Sequence, residues 1–231
     1  MIKKMSSSSF KTIMIGATGA TGSHLLLQLL SNDKCVKITS ISRSPLKIDK
    51  KSNKKLNEIL IDNMNDLSGT DTAWEDNDVF FNCIGTTRSI AGSANEFSNI
   101  EYGISLEAAK MAFNANIPHA CLISAKGVDH KIWGPAFIHP LFYMKIIGKK
   151  EQTIIEDYQF KYTTIFQPGM LSRLQSKDSL IEKFMQRKSI KLRVDMLAEA
   201  MIKEAEEVNL KRLNNGIKYI TGNNQILSIL K

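Results

Sequence analysis

A chain of 231 residues, 43% of them hydrophobic, is long enough to bury a full core in one domain. It has no apolar run near the ~18 to 20 residues needed to cross a bilayer, and Met1 to Ser9 lacks the apolar centre of a secretory signal. Cys35, Cys83 and Cys121 form no CxxC or Cys/His spacing, which argues against a disulfide framework or a metal site and for a cytoplasmic, reducing setting. Much of the net charge of +8 lies in Lys47 to Lys55, where no aromatic residue interleaves with the lysines. That pattern favours a solvated loop over direct nucleic-acid binding.

The first element is the apolar run Thr12 to Ile15, followed by Gly16-Ala17-Thr18-Gly19-Ala20-Thr21-Gly22 and an amphipathic segment from Ser23 to Leu30. This reads as a strand, a glycine turn and a helix start. Further apolar runs at Lys37 to Ser42, Glu58 to Ile61, Val79 to Ile84, His119 to Ser124 and Tyr162 to Gln167 read as strands. Between them, Glu96 to Ala115 carries Tyr102, Leu106, Ala109 and Phe113 at helical spacing, and Phe142 to Tyr158 carries Ile146, Thr153 and Ile154. The stretches 58–68 and 84–95 are too short or too rich in Gly and Ser to predict a helix. Past Pro168-Gly169, Val194 to Val208 reads as an amphipathic helix, Ile217 to Thr221 as a strand and Asn224 to Leu230 as a terminal helical turn. Right-handed βαβ crossovers turn this order into an α/β fold, a doubly wound parallel sheet (Rossmann fold). The expected organisation is one domain over 1–231, with residues 1–10 disordered and 168–231 a small C-terminal extension on the substrate side.

In such a sheet a ligand sits outside the carboxyl ends of the strands, so the residues after each strand are the candidates. Gly16, Gly19 and Gly22, with Thr18, Ala20 and Thr21 between and beside them, can bring backbone and helix amides against a pyrophosphate. The same turn can also end a strand for structural reasons alone. After the second strand stands Arg43, suited to a 2′-phosphate by its forked donors, or else a surface charge. Asp62 and Asn63 follow the third strand, where a carboxylate can accept from an adenine amino group or cap the next turn. Ile84, Gly85 and Thr86 follow the fourth, offering a small residue and backbone amides to ribose and phosphates. Arg88 is either a further phosphate contact or a loop charge.

The glycine turn, Gly85-Thr86-Thr87-Arg88 with Ala91-Gly92, Leu122 to Gly127, Tyr143 and Pro168-Gly169 together resemble the atypical short-chain dehydrogenase/reductases. Within them the chain looks most like the Tat-interacting protein branch, which includes a fungal mitochondrial outer-membrane group. The resemblance implies an NADP(H) cofactor, with Pro168 and Gly169 among its contacts, and a Ser-Tyr-Lys set acting on a carbonyl. Ser124 and Tyr143 match the serine and tyrosine. The lysine belongs four residues after the tyrosine, and Ile147 stands there. Lys145 and Lys149 lie about 200° and 240° around the helix from Tyr143, so neither replaces it. Lys126 and His139 are the conjectured substitutes, and Gln167 occupies a position where the family often has arginine.

Two functions follow from the resemblance. One is a reductase acting on a small-molecule carbonyl substrate. The other is a catalytically reduced NADP(H) sensor or scaffold read by a regulatory protein partner. The resemblance also leaves room for a homodimer through the long helices, and for a nuclear or peripheral outer-membrane location.

Overall fold

The computed structural model describes residues 9–48, 53–172, 191–211 and 215–231. Strand β1 (Phe10–Ile15) leads through the glycine turn into α1 (Ala20–Ser31), then β2 (Cys35–Ser42) and β3 (Leu56–Leu60). The short α2 (Asp71–Trp74) precedes β4 (Val79–Asn82), and α3 (Arg88–Ala91), α4 (Ala94–Ser98) and α5 (Ile104–Asn114) precede β5 (His119–Ile123). The long α6 (His139–Asp157) leads to β6 (Tyr162–Gln167). Two-residue strands β7 (Leu171–Ser172) and β8 (Leu192–Arg193) pair with each other, and α7 (Val194–Lys211), β9 (Gly216–Thr221) and α8 (Asn223–Ser228) finish the described chain.

Seven strands form one sheet in the order β3-β2-β1-β4-β5-β6-β9, every neighbouring pair parallel. The order reverses between β1 and β4, which opens a crevice at their carboxyl ends. Alternation along the strands divides the core. Ile13, Ile15, Phe80, Leu122 and Ile165 pack on one face with Trp74 and the small residues of α5. Met14, Phe81, Cys121 and Phe166 pack on the other with α1 and α7. All three cysteines are buried. The C-terminal stretch contributes α7 against α1 and the edge strand β9.

Three local expectations change. The stretch 84–95, where no helix is predicted, holds the one-turn α3, capped by Thr87 Oγ1 accepting from the Ile90 amide at 3.2 Å. Phe10, expected in a disordered leader, opens β1 with 1% of its surface exposed; residues 1–8 lie outside the described residues. The helix expected over 96–115 is interrupted by a π-helical turn, Asn99–Gly103, between α4 and α5. One extra residue per turn rotates the faces that follow. The buried stripe of α5 therefore runs through Ile104, Ala108, Met111 and Ala112, while Phe113 is exposed and only Ala109 belongs to the expected set.

Candidate functional site

The glycine turn is built from close approaches. Gly16 has φ +79°, and a Cβ there would stand 2.5 Å from the Cys83 carbonyl carbon; one on Gly22 would stand 2.1 Å from the Gly16 oxygen. These glycines press β1 and α1 together and against the end of β4. Gly19 is the N-cap of α1 and no side chain caps that end, nor is there an acidic residue in the first turn. The helix terminus thus presents its amides and partial positive charge to the crevice.

The crevice is a cavity of about 600 Å³. Thr18, Gly19, Ala20 and Thr21 form one end, and Ile84, Gly85 and Thr86 the wall after β4. Ser124, Tyr143 and Gly169 line the same space. Ten of the sequence-predicted site residues are therefore together. Gly16 and Gly22 lie beneath the turn as packing, and Pro168 does not line the cavity, although its carbonyl accepts from the Lys126 amide at 2.8 Å.

The residues assigned to the adenosine end lie elsewhere on the surface. Arg43 is exposed and makes no hydrogen bond or ion pair among the described residues. Asp62 is exposed, and it is Asn63 that caps the following turn, its Oδ1 accepting from the Asn65 amide at 3.0 Å. The loop after Arg43 folds over Thr18 and α1 around a second cavity of about 290 Å³, lined by Ser44 and Lys47 among others.

Ser124 follows β5, where its amide donates to the Phe166 carbonyl at 2.8 Å. Its hydroxyl is buried. It faces the buried Glu151 carboxylate, which burial pushes to a higher pKa while Ser124 and Gln167 oppose the rise. Gln167 Nε2 donates to both Glu151 oxygens, at 2.9 and 3.1 Å, so the residue standing in the family's arginine position is spent on that carboxylate. Tyr143, in the second turn of α6, packs its ring 5.9 Å from Phe97. Burial, aided by the charge of Glu101, pushes the Tyr143 phenol up to about 12.

Ile147 is on the cavity wall, 2% exposed. Neither conjectured substitute joins it: Lys126 is exposed, and His139 sits at the start of α6 with its ring 6.3 Å from that of Phe97. Lys149 stacks over Tyr102 at 4.5 Å. The ammonium inside the cavity belongs instead to Lys150, 2% exposed, whose Nζ stands 3.3 Å from Glu101 Oε2. The other Glu101 oxygen accepts from the Thr86 amide at 2.7 Å. Sequence reasoning missed both. For Lys150 a signal existed, because seven residues past Tyr143 is only about 20° off the same helix face. For Glu101 none did, since the π turn that aims it inward leaves no mark in the apolar spacing.

A model of the NAD(P)H-binding family matches residues 16–213. This chain belongs to the atypical short-chain dehydrogenase/reductases. Within them it falls in the Tat-interacting protein branch. Protein FMP52, mitochondrial, from Debaryomyces hansenii is 32% identical over 184 residues, covering 75% of this chain and 73% of that one. Protein HTATIP2 from Rattus norvegicus is 29% identical over 158 residues, 68% of this chain and 61% of that one. Against FMP52 of Meyerozyma guilliermondii the chain is 31% identical and spans 65% of the relative's length. The fold recurs in the oxidoreductase ylbE from Lactococcus lactis, with a TM-score of 0.64 at 16% identity over 95% of this chain and 96% of that one. It also recurs in UDP-glucuronic acid 4-epimerase from Bacillus cereus in complex with NAD, with a TM-score of 0.62 at 12% identity over 95% and 90%. No helix among the described residues is long and apolar enough to cross a membrane.

Proposed function

We propose that this short-chain dehydrogenase/reductase binds NADP(H) and reduces a small carbonyl compound with Ser124 and Tyr143. The observation that carries the reading is the single cavity joining an uncapped helix terminus at one end to Ser124 and Tyr143 at the other. The donors fit a dinucleotide: amides of Ala20 and Thr21 for the pyrophosphate, and the Gly85 wall, where no side chain stands, for a ribose. Arg43, next to the cavity that Ser44 and Lys47 line, is the proposed 2′-phosphate contact; Asp62 and Asn63 are proposed for the adenine, and Pro168 and Gly169 for the nicotinamide end.

When bound, a reduced nicotinamide supplies a hydride to the carbonyl carbon. Ser124 donates a hydrogen bond to the carbonyl oxygen and orients it. As that oxygen gains charge, the Tyr143 phenol gives it a proton, which completes an alcohol. The Tyr143 phenol is protonated at neutral pH, as proton donation requires, although its rise to about 12 makes it a weaker acid than an ordinary tyrosine.

That same shift favours a second reading, an NADP(H) sensor or scaffold with little turnover, because a tyrosine so far above neutrality is a poor base for the reverse direction. Titrating the protein against NADPH and NADH by nucleotide fluorescence, then assaying a panel of aldehydes and ketones with the parent and Tyr143→Phe, separates the two. Turnover by the parent that Tyr143→Phe lowers by about 100-fold or more supports the reductase. NADPH binding with no turnover across the panel supports the sensor, and no dinucleotide binding ends both. For location, relatives named as mitochondrial favour the outer-membrane alternative over the cytoplasm, and fractionation of tagged protein tests it.

A further inference from the structure

Ile147 removes the ammonium that the family places one turn past the tyrosine, yet the cavity still contains one. Lys150 stands seven residues after Tyr143, on the same face of α6 and about 4.5 Å further along the axis than Ile147. Side chains on a helix lean toward its N-terminus, so the four-carbon stem of Lys150 carries its ammonium back over the level of Ile147. Contacts agree with that direction. Glu101, which binds Lys150, also holds the Thr86 amide on the opposite wall and acts electrostatically on Tyr143.

An ammonium has three donors. Among the described residues Glu101 is the only hydrogen-bond partner of Lys150, so two donors remain for a ligand. Lysines are rarely this buried without a partner that requires them. A neighbouring pair of ribose hydroxyls offers two acceptors to one such group.

We propose that Lys150 has taken over the place of the missing lysine and hydrogen-bonds the nicotinamide-side ribose of the bound dinucleotide, with Glu101 as the residue that positions it. The inference rests on the dinucleotide-binding reading above. It makes the exchange at Ile147 a displacement of the cation by one helical turn rather than its loss.

The test compares binding of NADPH, NADH and ADP, the last carrying the adenosine half without the nicotinamide ribose. Because Lys150→Met alone would strand a buried carboxylate, the variant to use is Glu101→Gln/Lys150→Met, which leaves no unpaired charge and keeps an acceptor for Thr86. It should bind its preferred dinucleotide about tenfold more weakly, as expected for losing a hydrogen bond from a charged group, with ADP affinity unchanged. Adding Ile147→Lys should restore dinucleotide binding, which no purely structural role of Lys150 would allow. Unchanged dinucleotide affinity in the double variant overturns the proposal. So does a loss shared equally by ADP that Ile147→Lys does not repair. If the parent binds neither dinucleotide, the underlying cofactor reading fails first and takes this inference with it.

Discussion

Lys150 and Glu101 face each other at 3.3 Å with side chains only 3% and 4% exposed, one from the middle of α6 and the other from a π-helical turn. Removing one partner of such a pair leaves a buried charge without compensation, at a cost of about 3 to 5 kcal/mol. Lys150→Met should therefore destabilise the protein by that order in urea denaturation. Glu101→Gln/Lys150→Met should recover most of the loss. If both variants are equally destabilised, the Lys150 stem is needed for packing rather than for its charge.

The glycine turn separates packing from binding. A methyl on Gly22 would collide with the Gly16 carbonyl, which is backbone and cannot move aside. Gly22→Ala should cost about 3 kcal/mol or prevent soluble folding. On Gly85 the only neighbour of an added methyl among the described residues would be Glu101 Oε1, at 3.8 Å. Gly85→Ala should keep stability within about 0.5 kcal/mol while weakening dinucleotide binding, because the methyl enters the cavity. Thermal melts with and without NADPH check both. A Gly85→Ala protein that binds NADPH like the parent would remove that wall from the proposed site.

Arg43 follows β2 in the open and has no partner among the described residues, so its guanidinium is free for an anion. Arg43→Ala should weaken NADPH binding roughly tenfold or more and leave NADH binding within about twofold. Equal effects on the two nucleotides, read by fluorescence titration, would sink the 2′-phosphate assignment. The stability of the variant should match the parent's, since the side chain is exposed.

Most of the sheet was legible because strands buried on both faces read as short apolar runs, and glycine spacing marks close backbone approaches. The order of those runs carried the topology as well. Ser124 and Tyr143 could be placed for a related reason: each is tied to a strand end or a helix start that the pattern reveals. The interior of α4, the π turn and α5 was not legible, since a π turn changes which residues face inward without changing the residue types. Glu101 was hidden by it. Lys150 was hidden differently, because the family's lysine stands one turn past the tyrosine, whereas two turns return to nearly the same face. Asn63 shows the remaining difficulty, because a polar residue after a strand serves a turn cap as readily as a ligand.

His119 gives the fold a pH dependence that does not involve the cavity. It opens β5 at the opposite end of the strand from Ser124, 2% exposed, with Nε2 against Thr164 Oγ1 at 2.9 Å, its ring edge-on to Tyr162, and Nδ1 without a partner. Burial, assisted by the charge of Lys218, holds its pKa down to about 3. The unfolded chain takes up this proton near pH 6.5, whereas the folded protein refuses it until about pH 3. The stability that depends on neutral His119 is thus complete above pH 6.5 and declines as pH falls, by about 2 kcal/mol at pH 5. Glu151 works in the opposite sense, since its raised pKa means that acidification relieves a buried charge and offsets part of the His119 loss. Urea midpoints between pH 8 and 5 should fall for the parent. His119→Gln should start lower and change much less over the same range. A parent whose midpoint is flat from pH 7 to 5 would show that His119 is protonated in the folded protein, with Nδ1 finding an acceptor there.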